Sequence, residues 1–153
     1  MWRRAALFLL APAAAAWVAR QEHRILREGE RLSPSELDDA VRIGIRHPER
    51  IRVLTVSSIP PFRARWLRRC ATGMPFVSAN TIGLTARYGI FLREDYRHDR
   101  SLLRHELAHT AQYERLGGIR PFLRQYLGEW LEVGYPSGAL EVEASAVADR
   151  FRV

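Results

Sequence analysis

His105-Glu106-Leu107-Ala108-His109, read with its flanks from Asp99 to Gly118, is the stretch on which the fold turns. Histidines four residues apart project from one face of an α-helix, so both imidazoles can reach a single ion. Glu106 lies beside the first of them, where a carboxylate can take a proton from water held at that ion. The flanks predict a real helix. Asp99 or Ser101 can cap its start, Leu102, Leu103, Leu107, Ala108 and Ala111 supply apolar positions at helical spacing, and Gly117-Gly118 ends it. Leu102 and Leu103 tie the element to the core just ahead of the histidines.

Two histidines do not hold a catalytic zinc ion; such sites take three protein ligands and leave a position for water. No H-x-x-G-x-x-H continuation follows His109, where the chain reads Thr110-Ala111-Gln112-Tyr113-Glu114-Arg115-Leu116. The third ligand is then a carboxylate from the last helix, where Glu141 and Glu143 flank the apolar stripe on opposite sides. Helical phase leaves both open.

Outward from the motif, the chain reads as α+β. Ser33-Pro34-Ser35-Glu36 is a capping box with proline at the first helical position, predicting a helix to about Gly44 with Leu37, Ala40, Val41 and Ile45 inward. Ile51 to Val56 is a β-branched run that predicts a strand. Phe62, Trp66 and Leu67 suggest a helix ending before Gly73-Met74-Pro75. From Ile82 to Leu92 apolar residues alternate, predicting a hairpin that turns at Gly89 and exposes a strand edge on which an extended peptide can pair. Pro121 opens a further helix with Phe122, Leu123, Tyr126, Leu127, Trp130 and Leu131 on its apolar side, closed by Gly134. A last helix from Ser137 or Ala139 turns Leu140, Ala144, Val147, Ala148 and Phe151 inward. The expected architecture is a small antiparallel or mixed sheet packed on the histidine helix and the carboxy-terminal glutamate helix.

Leu32 to Arg150 resembles a bacterial zincin-like metallopeptidase family of unknown function whose motif commonly reads H-E-L-T-H. The resemblance rests on Leu32-Ser33-Pro34, Arg52-Val53, Ala79-Asn80-Thr81-Ile82-Gly83, Leu102-Leu103-Arg104 with the motif, and Gln112 after it. The ending Glu141-Val142-Glu143-Ala144-Ser145 is similar to the E-x-x-A-D pattern of the glutamate-ligand zincins, which include the membrane CAAX-prenyl endopeptidases. That register implies Glu141 as the third ligand and Glu143 as the variable position. Ser145 departs from the pattern: those families usually carry an aspartate there, bonded to a zinc-bound histidine, and such partners are typically worth about 10 to 100-fold. Asp149, one turn on, is the candidate substitute.

The 153 residues suit one domain, and 47% apolar with 27% charged residues is the balance of a folded globular protein. All 24 basic residues are arginine and the net charge is +7. The arginines are scattered, with one dense cluster at Arg63, Arg65, Arg68 and Arg69, and no nucleic-acid module signature appears, so no nucleic-acid partner is expected. The single cysteine, Cys70, rules out an intrachain disulfide and a cysteine-built metal site. Arg3-Arg4 precede an apolar run from Ala5 to Ala19 with Ala14-Ala15-Ala16 as a small-residue cleavage site. Residues 1–19 therefore read as a signal-like or membrane-associated segment before a domain at 20–153. A helix at a membrane surface and an alanine-rich helix packed on the domain are the other two readings. The expected place is the bacterial envelope if the segment is a signal or anchor, and the cytoplasm otherwise.

The expected function is a zinc-dependent metallopeptidase acting on a peptide or protein, with His105, His109 and Glu141 holding one zinc ion and Glu106 as the base. Tyr113, one turn beyond His109, is a candidate to steady an oxyanion, against an ordinary packing role. The alternative is a zincin-fold binding or structural module without turnover. An arginine-rich protein bound to anionic lipid or nucleic acid, with incidental histidines, ranks behind both.

Overall fold

The computed structural model describes residues 2–61 and 80–151, with side chains from residue 11 on. Its elements are α1 (Trp2–Glu28), β1 (Glu30–Arg31), α2 (Pro34–Ile43), β2 (Arg52–Val56), β3 (Gly83–Ala86), β4 (Gly89–Arg93), α3 (Arg100–Leu116), α4 (Ile119–Val133) and α5 (Ala139–Arg150), with short 3-10 turns at Pro48–Arg50 and Glu94–Tyr96. The fold is α+β, with one mixed sheet in the order β1-β2-β4-β3. β2 runs parallel to β4, while β1 and β3 pair antiparallel with their neighbours.

The centre of the molecule is β4. Side chains alternate across a strand, and β4 gives Phe91 to a cluster with Trp17, Val18 and Ile25 of α1 and Phe122, Leu123 and Leu127 of α4. Ile90 and Leu92 go to a second cluster with Ala40 of α2, Val53 of β2 and Leu103 and Leu107 of α3. A strand covered on both faces has little use for polar side chains, which is why Gly89-Ile90-Phe91-Leu92 contains none.

Several local signals act as their chemistry requires. Ser33 and Glu36 complete the capping box of α2, and Gly44 closes it in the left-handed conformation at φ 97°. Asp99, not Ser101, caps α3: its Oδ1 accepts from the Leu102 amide at 2.9 Å. Gly117 ends that helix at φ 93°.

Other expectations are corrected. The hairpin turns at Arg87-Tyr88, not at Gly89, and Arg87 takes the positive φ of 58°. Gly89 instead opens β4 because α1 crosses it closely: a β-carbon there would lie 2.9 Å from Ile25 Cβ. α4 begins at Ile119, so Pro121 sits inside its first turn, where a missing N–H costs nothing. Val41 is exposed, and Asp39 is the α2 residue buried beside Ala40. β1, two residues long, had no periodicity to announce it. The helix expected around Phe62, Trp66 and Leu67, the arginine cluster at 63–69 and Cys70 lie outside the described residues.

α1 is continuous through residues 19 and 20, and Ala14, Ala15, Trp17, Val18 and Ile25 are buried on α4 and the sheet. Among the described residues, no helix is long and apolar enough to cross a membrane.

Candidate metal centre

Three side chains from two helices meet where α3 and α5 pack. His105 Nε2 and His109 Nε2 stand 3.1 Å apart. Glu141 Oε2 lies 3.3 Å from the first, and Glu141 Oε1 3.5 Å from the second. A tetrahedral centre with bonds of about 2.0–2.1 Å has edges of about 3.3–3.4 Å, close to the separation of the two imidazoles and to the contact that each makes with one or the other oxygen of Glu141. The structure brings Glu141 to the imidazoles and takes Glu143 elsewhere: Glu143 accepts both arms of the Arg115 guanidinium at 2.6 and 2.8 Å.

The protonation of the group follows from its neighbours. Gln112, buried one turn past His109, donates its side-chain N–H to the Leu140 carbonyl at 2.9 Å. A carbonyl only accepts, so the Gln112 amide nitrogen faces Leu140 and its Oε1 faces His109 Nδ1 at 2.8 Å. Nδ1 therefore carries hydrogen, and the neutral ring presents a lone pair at Nε2, toward His105 and Glu141. The lone pair at His109 Nε2 can be met by a hydrogen on His105 Nε2 or by a metal ion. The ligand atoms of His105, His109 and Glu141 lie within 4.8 Å of one another, close enough to share one ion.

Electrostatics agree in direction. Burial disfavours a charged His109, yet the Glu141 and Glu106 carboxylates outweigh it and raise its pKa. Burial likewise opposes ionisation of Glu141, but His105, His109 and Tyr126 hold its carboxyl well below the usual range.

Glu106 is placed by β3. The Thr85 hydroxyl donates to Glu106 Oε2 at 2.6 Å and lies 2.9 Å from the Glu106 carbonyl oxygen. The other carboxylate oxygen rests against Gly83, where a β-carbon would come within 2.5 Å of it. Glycine at 83 is thus the space that Glu106 occupies. Around these groups opens a cleft of about 630 Å³, lined by Gly83, Leu84 and Thr85 of β3 and by the aromatic rings of Phe122, Tyr126 and Tyr135. Among the described residues β3 is the outermost strand of the sheet and pairs with β4.

Four of these residues were not singled out for the site by sequence: Gly83, Thr85, Gln112 and Tyr126. Gln112 offered a faint signal, as a polar residue one turn past a histidine on a buried helix face. Tyr126 offered a fainter one, as the single hydroxyl in the middle of the apolar stripe of α4. Tyr113 proves to be a packing residue. It is 1% exposed, stacks on Phe122 at 3.8 Å and turns its hydroxyl to the Thr85 carbonyl at 3.3 Å. Asp149 lines the same cleft, and Gln112 meets His109 Nδ1.

Comparison with known proteins gives no further lead: no protein-family model matches the chain, and no curated protein or solved structure is similar to it.

Proposed function

We propose that this chain is a zincin-like, zinc-dependent peptidase, with His105, His109 and Glu141 holding the metal and Glu106 moving the proton. The observation that carries the reading is the convergence of His105, His109 and Glu141, their ligand atoms within 4.8 Å of one another, in a cleft lined by β3, the outermost of the described strands. A bound zinc ion would supply Lewis acidity, polarising a carbonyl and lowering the pKa of water toward about 7.

The chain's own residues do the rest. Thr85 fixes Glu106 by donating to Oε2, which leaves Oε1 to accept a proton from water and return it to the departing amine. The β3 edge offers backbone N–H and C=O groups to an extended peptide, and these are indifferent to side-chain identity, as a peptidase requires. The aromatic lining, with Tyr126 and the exposed Tyr135, suits an apolar side chain of the substrate.

The test is metal content and peptide hydrolysis in wild type and Glu106→Gln. Zinc should be retained in the variant while kcat/KM falls by about 10²–10⁴; zinc retained with activity unchanged removes Glu106 as the base. A second reading, a binding module without turnover, draws on Ser145, which stands where the glutamate-ligand zincins usually have aspartate. It predicts that wild type at full zinc occupancy cleaves nothing in a broad peptide library.

A further inference from the structure

The two oxygens of Glu141 are not equivalent. Oε2 faces His105 at 3.3 Å, whereas Oε1 lies 3.5 Å from His109 Nε2 and also accepts a short hydrogen bond of 2.6 Å from the Tyr126 hydroxyl. The donor is rigidly mounted. The Tyr126 ring stacks on Phe122 with centroids 5.6 Å apart and planes 19° from parallel, and Phe122 stacks in turn on buried Tyr113. The same ring meets His109 edge-on at 6.2 Å. A tyrosine held between two rings, Phe122 and His109, keeps its hydroxyl in place, and the carboxylate it binds loses freedom to rotate.

The geometry points to Tyr126 as a positioning residue that commits Glu141 to offering a metal through Oε2 alone. A carboxylate with both oxygens uncommitted can chelate through the pair and fill the place that a water or substrate carbonyl needs. The Tyr126 hydrogen bond occupies a lone pair of Oε1 and opposes that. Gln112 does the parallel work on His109, so the site replaces one aspartate behind a histidine with two neutral partners, an acceptor behind His109 and a donor behind Glu141. This inference rests on the metal-binding reading above and concerns how the third donor is held.

Tyr126→Phe removes the hydroxyl and keeps the stacked ring. Three quantities are measured: zinc affinity by competition with a chromogenic chelator, the visible spectrum of the cobalt(II)-substituted protein, and the Tm of the metal-free chain. Tyr126→Phe should lower zinc affinity by about 10-fold. The cobalt bands should weaken, as they do when coordination number rises, while the metal-free Tm stays put. Affinity and spectrum equal to wild type overturn the role of Tyr126 while leaving the metal site standing. A wild type that takes up no metal refutes the site itself, and this inference with it. If Tyr126→Phe also lowers the metal-free Tm, Phe122→Leu decides the matter, because it loosens the same stack but keeps the hydroxyl. Affinity and spectrum retained in Phe122→Leu support the role, and an equal loss in both variants overturns it.

Discussion

On one side of α3, Arg100 and Arg104 close on Asp39 of α2 at 2.8 and 2.9 Å, and Arg104 also donates to the Phe151 carbonyl at 3.1 Å. One residue further round the helix, His105 and His109 meet Glu141 of α5 at similar distances. Both clusters bridge α3 to a neighbour through a carboxylate, yet they differ in what they leave over. At Asp39 every short contact is a donor facing an acceptor, so the cluster is complete and serves as a clasp. At Glu141 the lone pair of His109 Nε2 faces a second imidazole and a carboxylate, and a metal ion can take all three side chains as ligands. Site and clasp are told apart by the balance of lone pairs and protons, not by how many charged residues gather.

The comparison breaks most visibly at the clasp. Asp39→Asn keeps the shape but leaves Arg104, whose side chain is 13% exposed, without its counter-charge. Denaturant unfolding should show a loss of about 3–5 kcal/mol, with zinc affinity little changed. The pH dependence has a definite sign. Burial pushes the Asp39 carboxyl up, but Arg100 and Arg104 outweigh it and hold the folded pKa below the ordinary value. Its stabilisation is therefore complete above the unfolded pKa of about 3.9 and fades as pH falls through the folded one. Wild type should lose stability in that acidic window, and Asp39→Asn should lose less.

A second variant sharpens the contrast from the cleft side. Gly83→Ala places a β-carbon where Glu106 Oε1 lies, so the carboxylate must leave its seat against Thr85. A misplacement on the order of 1 Å costs about 10²-fold in rate, and the loss should fall on kcat/KM while bound zinc stays at the wild-type level. Loss of zinc along with activity would show that Gly83 supports the donors themselves. The smallest effect belongs to Glu143. Its pair with Arg115 is substantially exposed, so Glu143→Gln should shift stability by no more than about 1 kcal/mol and leave zinc binding intact. A loss of zinc in Glu143→Gln would mean that the two glutamates of α5 had been assigned the wrong way round.

Much of the frame was legible because it is written locally. The capping box at Ser33, the left-handed glycines at 44 and 117 and the alternation through β3 and β4 each depend on residues within a few positions of one another. The pair His105 and His109 is local too, being one helical turn. Choosing between Glu141 and Glu143 was not. Phase puts the two on different sides of α5, but only the packing of α5 against α3, set by Leu140 and Ala144 in the core, says which side faces the histidines. Gln112 was hidden for the same reason, since its value depends on the Leu140 carbonyl 28 positions away. The turn was misplaced because glycine has two uses. Gly89 serves close packing under Ile25, while Arg87 accepts the unusual φ. Asp39 shows the converse: a carboxylate in a helix sequence reads as solvated until its two arginines, 61 and 65 positions on, are brought to it.

The central claim is that His105, His109 and Glu141 form one cation site, and calorimetric titration of the metal-free protein with zinc tests it most directly. Wild type should bind a single zinc ion, and Glu141→Ala should lose that binding while keeping its fold. Wild type that takes up no zinc, or Glu141→Ala that binds it as tightly, contradicts the account.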